Sequence, residues 1–193
     1  MPQIELLHTD CIEYMAGLPD KAFDLAIVDP PYGIGISDFK RKNTKTAKFD
    51  GTKAWDNNRP SPEYFKELFR VSCGQVVWGM NHLHDMLPTT RGFVSWFKHQ
   101  NGHFSECELA WTSGNRGRYF DLPYQADLYG KIHPTQKPVA LYRWLLRTTP
   151  SPASGYSTRT WAAGPSRSPA TWKASTLWAV KLTRTTSRPL GIG

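Results

Sequence analysis

The residues best placed to do chemistry stand in the run AIVDPPYGIG, residues 26–35, where an acid, two prolines and a tyrosine follow an apolar segment. Asp29 stands where a buried strand would end. Pro30 and Pro31 forbid helix there and hold the backbone carbonyl outward. A carboxylate and a carbonyl on a stiff frame are two acceptors, and an exocyclic amine has two N–H donors to give them. Tyr32 adds a face on which a planar ring can lie. The set suits a nucleobase extruded from its stack. The plainer reading is a proline-stiffened turn with Tyr32 as core filler.

Other candidates are less specific. FKRKNTKTAKFDGTK follows the turn, and its Lys40, Arg41, Lys42, Lys45 and Lys48 could meet phosphates in a sequence-independent way. A solvated loop would have the same composition. RGRYFDLPYQ reads either as a recognition segment or as a surface hairpin. His82 and His84 bracket Leu83 without further ligands, so no metal site is expected. The three cysteines (Cys11, Cys73, Cys107) are far apart and form no CxxC, which argues for reduced thiols in a cytoplasmic protein.

The elements that must carry these residues alternate. IELLHTD reads as a strand, and Asp10 can cap a short helix over CIEYMAG, ended by Gly17 and Pro19. AFDLAIVD has the mostly apolar pattern of a buried central strand. SPEYFKELFRVS is the clearest helix, with Ser61 as cap, Pro62 first, and Tyr64, Phe65, Leu68 and Phe69 on one face. QVVWGMN, GFVSWFKH and CELAWTSG are strand candidates, and KPVALYRWLLR starts a helix at Pro138. Strands alternating with helices predict an α/β layered domain.

At 193 residues, 39% hydrophobic and 13% aromatic, the chain is long and apolar enough for one real core rather than global disorder. No apolar run is long enough to span a membrane. The start, MPQIELLHTD, carries acids and no basic region, so no secretory signal is expected. The net charge of +8 invites a nucleic-acid partner, but from Thr148 onward Arg159, Arg167, Lys173, Lys181, Arg184 and Arg188 face no acid at all. Most of the basicity therefore lies in this tail. The tail is rich in Ser, Thr, Pro and Arg, shows no helical or strand periodicity, and reads as a linker or disordered segment. Trp161, Trp172 and Trp178 fit that reading poorly.

DLAIVDPPYGIG resembles the catalytic motif of the amino-group DNA methyltransferases that use S-adenosylmethionine. LLHTDCIEYMAGLPDKAFDLAIVDPPYG resembles the opening of the subgroup that carries this motif first. SPEYFKELFRVSCGQVVWGMNHL, GFVSWFKHQNGHFSECELAWTS and KIHPTQKPVALYRWLLR resemble its later segments in order, so the resemblance covers about residues 4–147. It implies that Asp29 and the Pro30 carbonyl, framed by Pro31, accept hydrogen bonds from the target amine, and that Tyr32 stacks on the flipped base. Asp29 would also border the cofactor. His133, Pro134, Thr135, Gln136 and Lys137 would sit near its methionine end, and Asp10 near its adenosine. Asp before PPY favours adenine N6 over cytosine N4. The implied partner is double-stranded DNA, and a cognate restriction enzyme accompanies many such proteins.

A glycine-rich cofactor loop should follow the HPTQKP helix, and residues 148–193 contain none. Codons constrain a test of whether it survives out of frame. Reading the last base of each codon with the first two of the next, Trp161–Ala162 forces glycine, Trp172–Lys173 glutamate and Trp178–Ala179 glycine. Free choice elsewhere permits DTHLGSGS over residues 157–165 and EGFDFVG over 172–180. The expectation is a frameshift near Thr148. Residues 1–147 would then be a partial methyltransferase domain and 148–193 a basic Ser/Thr/Pro-rich tail read out of frame. The implied fold is α/β, an incomplete Rossmann-like sheet with a disordered or non-native tail. Strands that belong between IELLHTD and DLAIVD would be lost. The rival readings are a catalytically inactive DNA-binding remnant, an N4-cytosine enzyme, and a methyltransferase for another amine such as RNA adenine or protein glutamine.

Overall fold

The six residues of β2 (Phe23–Val28) are all buried, as the apolar run AFDLAIVD predicts for a strand covered on both faces. A computed structural model describes residues 3–35, 56–100, 104–124, 137–149, 159–164 and 176–183. Around β2 lie β1 (Gln3–Asp10), β3 (Ser72–Trp78), β4 (Gly92–Phe97), β5 (Cys107–Thr112), β6 (Gly117–Asp121), β7 (Arg159–Gly164) and β8 (Thr176–Thr183). Among the described residues they form one mixed sheet in the order β1-β8-β7-β2-β3-β5-β4-β6. The chain is an α/β protein, as expected.

The helices follow local signals. α1 (Cys11–Ala16) is capped by Asp10, whose carboxylate accepts from the amides of Ile12 at 2.8 Å and Glu13 at 3.2 Å. α2 (Pro62–Val71) starts with proline behind Ser61, whose hydroxyl accepts from the Tyr64 amide. A one-turn α3 (Met80–Leu83) follows β3, and α4 (Val139–Thr148) begins behind Pro138. α1 and α2 cover one face of the sheet with Met15, Tyr64, Phe65 and Leu68 against Phe23, Ala26 and Val28. On the other face, Leu141 and Leu145 of α4 share a core with Leu25, Ile27, Val76, Trp78 and Trp96.

Two details differ from the sequence reading. RGRYFDLPYQ does not fold back as a hairpin, because β6 pairs in parallel with β4 at the sheet edge. The tail, read as aperiodic, contributes β7 and β8, which lie between β1 and β2, where strands were expected to be missing. β8 pairs antiparallel with β1 along all eight residues, and β7 runs parallel to β2. The stretch TLWAVKLT holds no glycine or proline and is rich in Thr, Val, Trp and Leu, which is strand composition hidden between Ser/Pro-rich flanks.

β2 is the point where the chain's connections turn to opposite sides: α2 leads to β3 on one flank, and α4 precedes β7 on the other. Val28 is in register with Val77 and Ala163, so all three parallel strands end on the same edge. Ligands of open α/β sheets lie outside such carboxyl ends, at the switch point. Asp29 is the next residue.

Candidate functional site

The turn after β2 is clamped by a residue that the sequence does not single out. The amides of Tyr32 and Gly33 both donate to one carboxylate oxygen of Asp56, at 2.6 and 3.1 Å, and the Gly35 amide donates to the Asp56 carbonyl at 3.1 Å. Asp56 is buried. Pro30 and Pro31 have no amide hydrogen to satisfy, and Gly33 and Gly35 adopt the left-handed backbone (φ 72° and 65°) that lets the next amides converge. The turn is therefore an anion nest filled by the chain's own carboxylate.

Within that frame Tyr32 is fixed at both ends. Its hydroxyl donates to Asp29 Oδ1 at 2.6 Å, and its ring stacks on His82 with centroids 5.2 Å apart and planes 19° apart. Gly79 makes room for it. A Cβ there would lie inside the Tyr32 ring, and the Gly79 φ of 80° already disfavours any other residue.

Lys137 closes the site from the other side. Its Nζ lies 2.7 Å from Asp29 Oδ2, 3.3 Å from Glu108 Oε2 and 3.5 Å from the Tyr32 hydroxyl, and 5.0 Å over the Trp78 ring. Glu108 Oε1 accepts from Lys98 Nζ at 3.0 Å. The Lys137 side chain is 3% exposed and that of Asp29 10%. Four charges thus alternate along Lys98, Glu108, Lys137 and Asp29, and the Tyr32 hydroxyl ends the chain. Burial works against the Lys137 charge, but Asp29, then Tyr32 and Glu108, hold its proton well above the usual lysine range. Burial would raise the Glu108 carboxyl, yet Lys137 and Lys98 outweigh it and bring it below the ordinary value. Burial first, and then Asp29, push the Tyr32 phenol well up, so it donates and does not ionise.

Asp29, Pro30, Pro31, Tyr32 and Lys137 are thus brought together. Asp10 lies at the start of α1, where its Oδ1 caps the helix. Lys40, Arg41, Lys42, Lys45 and Lys48 lie outside the described residues, as do His133, Pro134, Thr135 and Gln136. No group of three His, Cys, Asp or Glu residues among the described residues could hold a metal, and none of the described helices is long and apolar enough to cross a membrane. Glu108, Lys98, Trp78 and Asp56 went unseen in the sequence. Only the acid in the strand run CELAW offered a signal.

Two buried donors near the carboxyl ends of β2 and β3 find no hydrogen-bond partner among the described residues: the Tyr64 hydroxyl on one face of the sheet and Trp78 Nε1–H on the other. Tyr64 lies within electrostatic reach of both Cys11 and Asp29. They suit a polar ligand at the carboxyl ends of β1–β3. A nucleoside cofactor such as S-adenosylmethionine also needs a glycine cradle at the end of the neighbouring parallel strand. Gly164 ends β7, and residues 165–175, which follow it, contain no further glycine of the kind a paired-glycine turn needs. The acceptor side fits an amine, whereas the cofactor side does not fit the cofactor.

No family model matches the chain, and no curated protein matches it. Among solved structures it is similar to TTHA0409 of Thermus thermophilus, provisionally described as a DNA modification methylase, at 17% identity and a TM-score of 0.33. The likeness covers 55% of this chain and 52% of that one, so the chain spans about half the length of that protein.

Proposed function

We propose that this chain descends from a site-specific DNA methyltransferase that takes a methyl group from S-adenosylmethionine to adenine N6, and that transfer is impaired in the present product. The observation that carries the reading is the Asp29–Tyr32 turn at the switch-point end of β2, with a carboxylate and a ring held together there. Asp29 would accept from the target amine, and Tyr32 would stack on the base. The cofactor would supply a methyl on a sulfonium, which leaves the protein the tasks of holding the amine and excluding water. Impairment follows from the missing glycine cradle, which also supports the second reading, a DNA-binding remnant without activity. The reading frame near Thr148 belongs to the same proposal. An uninterrupted frame encoding a glycine loop in the gene would support it, and its absence would end the frameshift idea.

Calorimetric titration with S-adenosylmethionine is expected to show weak or no binding, and tight binding would overturn impairment. Labelled methyl transfer to duplex DNA, RNA and protein, followed by digestion to nucleosides, separates the substrates. Label in N4-methylcytosine or in protein would overturn the adenine assignment.

A further inference from the structure

The Lys137 ammonium sits where an incoming amine would have to sit. Both Asp29 oxygens are engaged, Oδ1 by the Tyr32 hydroxyl and Oδ2 by Lys137. Each oxygen could accept a second bond, but the Asp29 side chain is only 10% exposed, so a base amine gains room beside it when one of these donors leaves. Tyr32 is held by its stack on His82, by Gly79 beneath and by the bonds that its own amide and that of Gly33 donate to Asp56. Lys137 has a second carboxylate within reach, since Glu108 Oε2 is already 3.3 Å from Nζ. A shift of about 0.5 Å toward Glu108 would bring that contact into the range of a charge-assisted hydrogen bond. Glu108 does not need Lys137 for neutrality, because Lys98 pairs with its other oxygen at 3.0 Å. Trp78 offers its ring face to the ammonium at 5.0 Å, a surface over which a cation can move at little cost.

We infer that Glu108 is a positioning residue for the acceptor site: it receives the Lys137 ammonium when Asp29 exchanges it for the exocyclic amine of a base. The inference rests on the amine-acceptor reading above. Only hydrogen bonds change hands. Lys137 keeps its proton, one N–H moves from Asp29 Oδ2 to Glu108 Oε2, and the amine donates to the oxygen vacated. The four charges stay paired throughout. Lys137 then acts as a tethered competitor that closes the site until a donor of the right shape arrives.

The test uses the full chain labelled with 15N-lysine, with 9-ethyladenine as the probe. The Lys137 ammonium resonance is assigned by its loss in Lys137→Arg. Saturable binding of 9-ethyladenine is expected to shift this resonance, whereas 9-ethyl-N,N-dimethyladenine, which has no N–H to offer Asp29, leaves it in place. Equal shifts with both compounds overturn the exchange. Glu108→Gln is expected to weaken 9-ethyladenine binding roughly tenfold, about the worth of one charged hydrogen bond. Adding Lys137→Met to Glu108→Gln should return binding to within about twofold of the native value, because the competitor is gone. A purely structural Glu108 would give losses that add, and that outcome overturns the inference alone. If the native chain shows no saturable 9-ethyladenine binding, the amine-acceptor reading falls and the inference falls with it. Should Glu108→Gln fail to fold, the comparison of the two purines on the native chain still decides.

Discussion

At the amino ends of β2 and β3, Arg70 donates to the carbonyls of Met15 and Leu18 at 2.7 Å each, and Lys21 donates to those of Phe69 and Ser72. At the carboxyl ends of the same strands, Lys137 meets the carboxylates of Asp29 and Glu108. Both arrangements tie distant segments together with a cation, but they answer different needs. Arg70 and Lys21 satisfy carbonyls where α1 and α2 end, and the Arg70 charge, itself 28% exposed, is balanced by exposed Asp20 and by buried Glu67. The carboxyl end buries its charges and leaves the Tyr64 hydroxyl and Trp78 Nε1–H without partners among the described residues. Polar groups buried at the expense of stability, beside a stacked tyrosine, mark the end where a ligand is expected. The amino end holds the fold together.

Substitutions at the two ends should therefore differ in size. Lys137→Met strands the buried Asp29 carboxylate and should lower stability by about 3 kcal/mol, the usual scale for breaking a buried pair. Urea midpoints at pH 7 measure it. Asp29→Asn combined with Lys137→Met should recover most of the loss, because the charges then leave together. A double variant no more stable than Lys137→Met would mean that the pair is not the source of the loss. Gly79→Ala comes next, at about 2 kcal/mol, since it adds strain at a left-handed backbone and a clash with Tyr32. Its tyrosine environment should change in near-ultraviolet circular dichroism, and an unchanged spectrum would contradict the packing of Tyr32 over Gly79. Arg70→Met should cost less than either, since water can reach the carbonyls it uncovers. A loss as large as that of Lys137→Met would erase the contrast between the two ends.

The same contrast explains what was legible in the sequence. Ser61, Pro62 and Asp10 act locally, so the helix starts they make can be read from neighbouring residues. Asp29 and Tyr32 were legible because turn chemistry and an apolar run lie side by side in the chain. Lys137 was legible as part of HPTQKP, but its partner Asp29 stands 108 residues away, and no local pattern encodes that pairing. Glu108 lies in β5 and Lys98 just after β4, places where a charged residue ordinarily faces solvent, so their inward roles are set by the sheet order. Asp56 lies outside any periodic segment, and its carboxylate is recruited by amides that only the folded turn brings together. In the tail, Ser/Pro-rich flanks diluted the strand composition of TLWAVKLT.

The smallest effect is the pH dependence, and its alkaline limb distinguishes the two ends. Glu108 is held below its ordinary value of 4.5, so its contribution is present above about that pH and is lost as pH falls through the lower folded value. Because about a third of its side chain is exposed, the contribution should be on the order of 0.5 kcal/mol. Glu67 at the amino end is likewise lowered, by its hydrogen bond from Arg70, so both ends weaken in acid. Alkali separates them. Lys137 is raised above its ordinary value of 10.5, so what it contributes is complete below that pH and is lost as pH rises through the higher folded value. Arg70 keeps its proton throughout and adds nothing to an alkaline limb. Urea midpoints above pH 10.5 should thus fall more steeply in the native chain and in Arg70→Met than in Lys137→Met. Parallel alkaline limbs in all three would mean that Lys137 does not meet Asp29 as an ammonium, and the carboxyl end would lose the feature that sets it apart.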